Sequence, residues 1–192
     1  MTERIILASK SPRRAEILRA VDWPFEAVAA GVDETRTSDE DAVGYVRRLA
    51  REKAETVAER LAAKEYLGKL VLGADTVVVV SGEILGQPLD REDARRMLTR
   101  LSGKWHEVLT GVALVRVGQS AGKVEHETTR VRFAELNDKE IDWYVATGEP
   151  MDKAGAYAVQ GRAALFIEEI EGDYFNIVGL PIRLVYELSQ QI

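Results

Sequence analysis

The sequence contains no cysteine, which excludes disulfides and thiolate metal sites. Its apolar runs are all shorter than the roughly 20 residues that a membrane-spanning helix needs. The first residues lack the pattern of a signal peptide. We therefore expect a protein that acts in the cytoplasm and has no membrane partner.

Several common nucleotide-binding and catalytic motifs are also missing. The chain has no G-x-G-x-x-G turn and no G-x-x-x-x-G-K-[ST] loop. Its one G-x-S-x-G string, at 118–122, joins two predicted strands rather than a strand and a helix, so it is not a nucleophile elbow. The two histidines, His106 and His126, lack metal-ligand spacing, so we expect both to be structural or exposed. The net charge of −6 argues against a general nucleic-acid surface, so no nucleic-acid partner is predicted.

What remains is the composition of an ordinary globular protein. The 192 residues, 46% of them apolar and 30% charged, are enough for one domain with a real core. No repeat or linker divides the chain, so the sequence predicts a single domain over residues 1–192. Strand and helix patterns alternate without a strict strand–helix–strand order, which predicts an α/β fold with a mixed sheet.

Local signals place most of the elements. The predicted strands cover 4–9, 25–29, 70–80, 83–86, 107–117, 123–133, 156–159 and 163–168. The predicted helices cover 12–21, 38–61, 90–101, 137–147 and 181–190. For the long second helix, Ser38 and Asp41 resemble a capping box at its start.

The segment from Ser9 to Arg14 follows an apolar strand and opens a helix. Ser11 suits an N-cap, and Pro12 suits the first helical position, where a missing N–H costs nothing. Arg13 and Arg14 oppose the helix dipole, so the stability of the helix does not explain them. An anion at this helix end would explain them, and the segment therefore predicts a phosphate site.

Asp75 and Lys53 are charged residues in apolar surroundings. Asp75 interrupts the buried strand 70–80, where an unpaired carboxylate would cost several kcal/mol. Backbone N–H groups at a bend near Gly73 could satisfy it, but a functional site is the better explanation. Lys53 shares the apolar face of the long helix; its side chain either extends along the helix to water or enters a pocket that contains Asp75 and phosphates.

Two further segments are candidates with ordinary alternatives. Asp33 and Glu34 lie in a loop, where acids are usually only solvated, but their oxygens could hold a hard divalent cation. Gln160 lies among small residues and can both donate and accept, which suits reading a base edge. From the residues alone, a strand with an ordinary turn is the favoured interpretation of this second segment.

Taken together, these segments resemble the Maf family of nucleoside triphosphate pyrophosphatases. The resemblance extends in family order over nearly the whole chain and rests on the motifs at 8–14, 32–34, 48–54, 73–77, 101–103, 110–112, 153–161 and 178–181. It implies a Maf/ITPase-like mixed sheet with flanking helices and two lobes around a central cleft. It also implies a divalent metal cofactor (Mg, Mn or Co), hydrolysis of a nucleoside triphosphate to the monophosphate and pyrophosphate, and a homodimer.

The resemblance assigns roles to the unusual residues. By this resemblance, Asp75 is the proton acceptor, and Asp75 and Glu34 bind the metal. Ser9, Arg14 and Lys53 match residues that bind the phosphates. The base-reading positions are Arg13, Thr76 and Gln160, whose residue types resemble the dTTP/UTP branch of the family. One position departs from the family: Gln87 stands where a phosphate-binding lysine is usual.

Two alternatives to a dTTP/UTP pyrophosphatase stay open at this stage. The first is a pyrophosphatase for modified or purine nucleotides, such as 7-methyl-GTP or dITP. The second is a nucleotide-binding regulator of cell division without turnover, an alternative that the missing lysine at Gln87 keeps open. Intact Asp75, Glu34 and Lys53 favour an enzyme.

Overall fold

The computed structural model describes residues 3–37, 39–62, 64–119 and 121–192. Its strands are β1 (Ile5–Leu7), β2 (Phe25–Ala27), β3 (Leu70–Val80), β4 (Glu83–Leu85), β5 (Trp105–Arg116), β6 (Gly122–Phe133) and β7 (Ile167–Glu171). Its α-helices are α1 (Pro12–Ala20), α2 (Ala42–Arg60), α3 (Arg91–Leu101), α4 (Asp138–Ala146), α5 (Tyr174–Val178) and α6 (Ile182–Ser189).

The strands form one mixed sheet. Its order is β2-β1-β3-β5-β6-β7, and β4 pairs with β3. β1 runs parallel to both β2 and β3, with Ile5 opposite Phe25 on one side and Leu70 on the other. β4 and β7 are antiparallel to their partners. The predicted mixed α/β fold is therefore confirmed. No helix in the described ranges is both long and apolar enough to span a membrane.

The chain forms two compact units. The first contains Met1–Asp75, Thr110–Glu127 and Gly179–Ile192, and the second contains Thr76–Leu109 and Thr128–Val178. Each unit has its own apolar core. In the first, α2 packs on β1, β3 and β5. In the second, α3 and α4 pack on aromatic and aliphatic side chains of the neighbouring strands and turns.

Two glycines let α2 lie directly on the sheet in the first unit. A Cβ on Gly73 of β3 would lie 2.1 Å from the carbonyl oxygen of Ala50, and one on Gly111 of β5 would lie 2.1 Å from that of Val46. Because side chains two apart on a strand share a face, Asp75 lies on the same face of β3 as Gly73. The close approach therefore brings the middle of α2 next to the Asp75 carboxylate.

Elements with strong local signals lie where the sequence predicts them. β3 covers the predicted 70–80, and Ser81 and Gly82 turn into β4 with φ values of 50° and 80°. Asp90 caps α3 by accepting the Asp93 N–H. Asn137 begins α4 with a complete capping box.

Two local predictions need correction. α2 begins at Ala42 rather than near residue 38, because the Asp41 side chain caps it by accepting the Gly44 N–H at 2.7 Å. The other proposed member of that capping box, Ser38, lies outside the described residues. Ser11 does occupy the N-cap position of α1, but its side chain makes no capping hydrogen bond.

The segment after α4 also differs from the prediction. The strands predicted at 156–159 and 163–168 are wrong, because this stretch contains 3-10 helices at Ala154–Ala156 and Arg162–Phe166. Gly155 and Ala156 have φ values of 67° and 60°, which a strand cannot contain. β7 begins only at residue 167, and the short helix α5 that follows it was not predicted.

Candidate active site

The Asp75 carboxylate is buried in the first unit and is paired with a lysine. The residue is only 7% exposed, and its Oδ1 lies 2.7 Å from the Nζ of Lys53. The Lys53 side chain is 12% exposed and ends at this carboxylate, so it does not extend along α2 to water. Of the two interpretations of Lys53, the structure therefore supports the buried one.

Lys53 forms a second ion pair, with the carboxylate of Glu34, and so bridges Glu34 and Asp75. Its Nζ also lies 2.7 Å from Oε1 of Glu34, whose side chain is 58% exposed. One ammonium group therefore holds one buried and one accessible carboxylate. These two acids are 41 residues apart in sequence (75 minus 34) and come from a loop and a strand.

Burial raises the pKa of Asp75 above its ordinary value, and Glu34 adds to this effect. The positive charges of Lys53 and Arg14 oppose it. A carboxylate whose pKa lies closer to neutrality is a stronger proton acceptor than an exposed one. The environment of Asp75 is thus suited to general-base chemistry.

Arg14 is held by the backbone and by a serine near the start of α1. It is 9% exposed, its Nε donates to the carbonyl of Gly179 at 2.8 Å, and Nη1 donates to Ser9 Oγ at 3.2 Å. The same Ser9 oxygen accepts the N–H of Ser11 at 3.1 Å. Burial lowers the pKa of Arg14, but a guanidinium stays charged at neutral pH. The first turn of α1 therefore carries a fixed cation.

The loop that carries Glu34 is fastened to α2. The Tyr45 hydroxyl donates to the backbone carbonyl of Glu34 at 2.7 Å, and Arg48 donates to the carbonyl of Thr35 at 3.3 Å. Asp33 accepts both the N–H and the hydroxyl of Thr35, and the side-chain bond is the main cause that lowers its pKa. Asp33 therefore shapes the loop, whereas Glu34 reaches Lys53.

The carboxylates suit a hard cation that is shared with a ligand. Across the described part of the chain, no group of three or more His or acidic side chains could hold a metal ion alone. Glu34 and Asp75 could supply two oxygen ligands, and Mg²⁺ is commonly bound through one or two carboxylates together with substrate phosphates. The donor set therefore fits a divalent ion that is completed by phosphate.

Comparison with known proteins identifies the family. Residues 4–192 match the family model described as Maf-like protein. The chain belongs to the Maf family. A Maf relative from Symbiobacterium thermophilum, named dTTP/UTP pyrophosphatase, is 53% identical over 189 residues, which cover 98% of this chain and 94% of that protein.

A second relative and a solved structure complete the comparison. The dTTP/UTP pyrophosphatase of Koribacter versatilis is 50% identical over 187 residues, which cover 97% of this chain and 93% of that protein. The solved structure of the Staphylococcus aureus Ham1 protein aligns with a TM-score of 0.53 at 14% identity, covering 98% and 99% of the two chains. This last likeness shows that the Maf protein shares the fold of Ham1.

The three residues predicted to read the base, and also Gln87, do not all lie in the first unit. Arg13 is half-buried beside Arg14 in the first unit, and Thr76 is half-buried and follows Asp75 on β3. In the second unit, Gln87 is exposed after β4 and donates to the carbonyl of Asp152 at 3.3 Å. Gln160, also exposed, occupies a turn in this unit. The structure thus gathers the predicted phosphate and metal residues Ser9, Arg14, Glu34, Lys53 and Asp75 in the first unit.

Two supporting groups of this Maf protein were not predicted. The carbonyl of Gly179 fixes Arg14 from 165 residues away, and Tyr45 fixes the Glu34 loop from the first turn of α2. Neither has a local sequence signal, because a backbone carbonyl has no residue signature and a half-exposed helical tyrosine is common. The motif at 178–181 was the only available indication for Gly179.

Proposed function

We propose that this Maf protein hydrolyses dTTP, UTP and dUTP to the nucleoside monophosphate and pyrophosphate in the cytoplasm. The observation that carries the proposal is the lysine-bridged pair of carboxylates, in which Asp75 is buried and Glu34 is accessible. Relatives that are half identical over nearly the whole chain are named dTTP/UTP pyrophosphatases. The nucleotide is a small-molecule partner, and we expect the protein to act as a homodimer.

Asp75 is the proposed base. It accepts the proton of a water molecule that attacks the α-phosphorus, and pyrophosphate leaves in line with the attack. Burial raises the pKa of Asp75 and so strengthens it as an acceptor, while Lys53 keeps the carboxylate ionised and oriented. A proton transfer of this kind typically contributes about 10²–10⁴-fold to the rate.

The phosphate chain is proposed to bind to the cations of the first unit. Arg14 and Lys53 supply the charges, and Ser9 orients the Arg14 guanidinium. Glu34 and Asp75 would hold a divalent ion (Mg²⁺, Mn²⁺ or Co²⁺), which when bound neutralises phosphate charge and polarises the reacting phosphoryl group. Gln87 is proposed as a further phosphate ligand, whose neutral amide would be a weaker hydrogen-bond donor than the usual charged lysine.

The base is proposed to be read by Gln160, Arg13 and Thr76. Thymine and uracil present one imide N–H between two carbonyl groups. The Gln160 amide can accept from the imide and donate to a neighbouring carbonyl, and the other two side chains can donate to the remaining acceptors. Cytosine loses the imide proton and gains an amino donor, so at least one bond fails unless the Gln160 amide flips. An unpaired buried polar group costs about 1–3 kcal/mol, so we expect UTP above CTP by roughly tenfold.

A nucleotide panel tests the proposal directly. The purified protein is assayed with dTTP, UTP, dUTP, CTP, GTP, dITP and 7-methyl-GTP in the presence of Mg²⁺, Mn²⁺ or Co²⁺. Pyrophosphate and nucleoside monophosphate are quantified separately. We expect pyrophosphate release to be fastest with the thymine and uracil nucleotides. A panel led by CTP, GTP or a modified purine would reject the base assignment, and no release from any nucleotide would reject the enzymatic function.

A matched pair of variants tests the role of Asp75. Asp75→Asn keeps the shape of the side chain but removes the base, so kcat should fall by about 10²-fold or more. Asp142→Asn removes an exposed carboxylate that pairs with Arg95 in the second unit, and kcat should not change. Circular dichroism checks that both variants are folded. Half of the wild-type kcat in Asp75→Asn would remove this residue from the mechanism.

A further inference from the structure

The turn that contains Gln160 is held by a carboxylate and a phenol of the second unit. Oε1 of Glu149 accepts the backbone N–H of Arg162 at 2.9 Å. The same oxygen accepts the hydroxyl of Tyr144 at 2.9 Å, and that hydroxyl accepts the backbone N–H of Ala158 at 3.2 Å. The two side chains therefore fix the backbone two residues before and two residues after Gln160.

Gly161 shows how closely the carboxylate lies against the turn. A Cβ at this position would lie 2.1 Å from Oε1 of Glu149 and 2.8 Å from Oε2. The φ of Gly161 is −120°, so its backbone alone does not require glycine. An alanine at this position would therefore have to displace the Glu149 carboxylate, which is the end of a flexible side chain and can move.

Both holding residues are themselves fixed at the end of α4. Tyr144 is fully buried in the core of the second unit. The chain then turns at Gly148, whose φ is 74°, and the N–H of Glu149 donates to the Thr147 hydroxyl at 3.1 Å. The Glu149 side chain is 16% exposed. A rigid helix end thus supports an exposed turn, which is the arrangement that a precise recognition site needs.

We propose that Glu149 and Tyr144 are positioning residues for base selection. They hold the 158–162 turn so that the Gln160 amide meets the base in one orientation. This inference rests on the proposed function, in which Gln160 reads the imide edge of thymine or uracil. A side chain that merely stabilised the fold would lower the amount of active protein equally for every nucleotide. A positioning role instead changes the ratio between two nucleotides.

The test is the ratio of kcat/KM for UTP to kcat/KM for CTP, measured on the same preparation. This ratio does not depend on the folded fraction, so partial unfolding cannot imitate the effect. We expect Glu149→Ala to reduce a wild-type ratio of roughly tenfold to about twofold, because a misplaced amide loses the bond that separates the two bases. The change should come mainly from a higher KM for UTP, since Asp75 performs the chemistry.

Three further variants separate positioning from a general loss of structure. Glu149→Gln keeps an acceptor oxygen of the same reach and should retain most of the selectivity. Gly161→Ala displaces the carboxylate without removing it and should give the same loss of ratio as Glu149→Ala, while Tyr144→Phe should give a partial loss. Glu168→Ala, which breaks an exposed pair with Arg132 in the same unit, should leave the ratio unchanged.

The outcomes distinguish the inference from the function on which it rests. A wild-type protein without a preference for UTP over CTP would reject the proposed base reading. A selective wild type whose ratio persists in both Glu149→Ala and Gly161→Ala would overturn the positioning role while leaving the function intact. If Glu149→Ala does not fold, the UTP-to-CTP ratios of Gly161→Ala and Tyr144→Phe decide whether the positioning role holds.

Discussion

Replacing Lys53 by methionine should destabilise the protein in a strongly pH-dependent way. The substitution replaces the four-carbon stem of the side chain by an apolar chain of similar length and removes the ammonium that lies 2.7 Å from the buried Asp75 carboxylate. Asp75 must then remain as an unpaired buried charge or take up a proton. Removing one partner of a buried pair typically costs about 3–5 kcal/mol.

Protonation of Asp75 sets an upper limit on the stability that Lys53→Met can lose. Burial already raises the pKa of Asp75, and the loss of Lys53 removes the main opposing influence, so the folded variant binds the proton more tightly than the unfolded chain. Neutralising a carboxyl above its ordinary pKa of 3.8 costs about 1.4 kcal/mol for each pH unit. The limit is therefore about 4 kcal/mol at pH 7 and about 2 kcal/mol at pH 5. The penalty must shrink as the pH falls towards 3.8.

Urea denaturation followed by tryptophan fluorescence at pH 7 and pH 5 measures both values. The double variant Lys53→Met/Asp75→Asn removes both charges and should recover most of the stability that is lost at pH 7. Lys139→Met, at an exposed position on α4, serves as the surface control. A loss below about 1 kcal/mol at pH 7, or the same loss at both pH values, would show that Lys53 does not stabilise the buried Asp75 charge.

Three further predictions concern other parts of the chain. Gln87→Lys should raise kcat/KM for UTP by about 5–30-fold, because it restores a charge-assisted bond to the triphosphate; an unchanged value in steady-state kinetics would place position 87 away from the phosphates. Gly73→Ala should lower the free energy of unfolding in urea by about 1–3 kcal/mol or more, because the new Cβ would lie 2.1 Å from a backbone oxygen of α2. Gly86→Ala is the control and should leave this free energy nearly unchanged, because a Cβ there would have nothing within 4 Å. Burial lowers the pKa of His106 from 6.5 to about 4. Because the unfolded chain takes up this proton at a higher pH than the folded protein does, up to about 3 kcal/mol of stability is lost as the pH falls from 6.5 to 4. His106→Gln should remove that part of the pH dependence in urea titrations, and His126→Gln should retain it.

The elements that could be predicted from the sequence are those with complete local signals. α4 begins where Asn137 and Glu140 form a capping box, and α3 begins where Asp90 accepts the Asp93 N–H. β3 is an apolar run between two turn signals, and its conformation follows from its residues. In contrast, the segment around Gly155 and Ala156 was predicted as a strand, because its small and apolar residues fit one. Its left-handed turn lies close against Val78, and the Gly155 N–H donates to the carbonyl of Gly86 at 3.0 Å; no local pattern contains either contact.

For the candidate site, the sequence by itself determined which residues needed an explanation. A carboxylate in an apolar strand, a lysine on an apolar helix face and two arginines at a helix start are unfavourable in isolation, and the family resemblance united them. Only the tertiary structure decided which charges meet: Lys53 joins Asp75 to Glu34, and Arg14 donates to the carbonyl of Gly179. Composition and hydrophobic periodicity show that a charged residue lies in an apolar segment, but they do not identify the residue that pairs with it. That partner is selected by the close approach of α2 to the sheet, which the absence of a side chain at Gly73 permits.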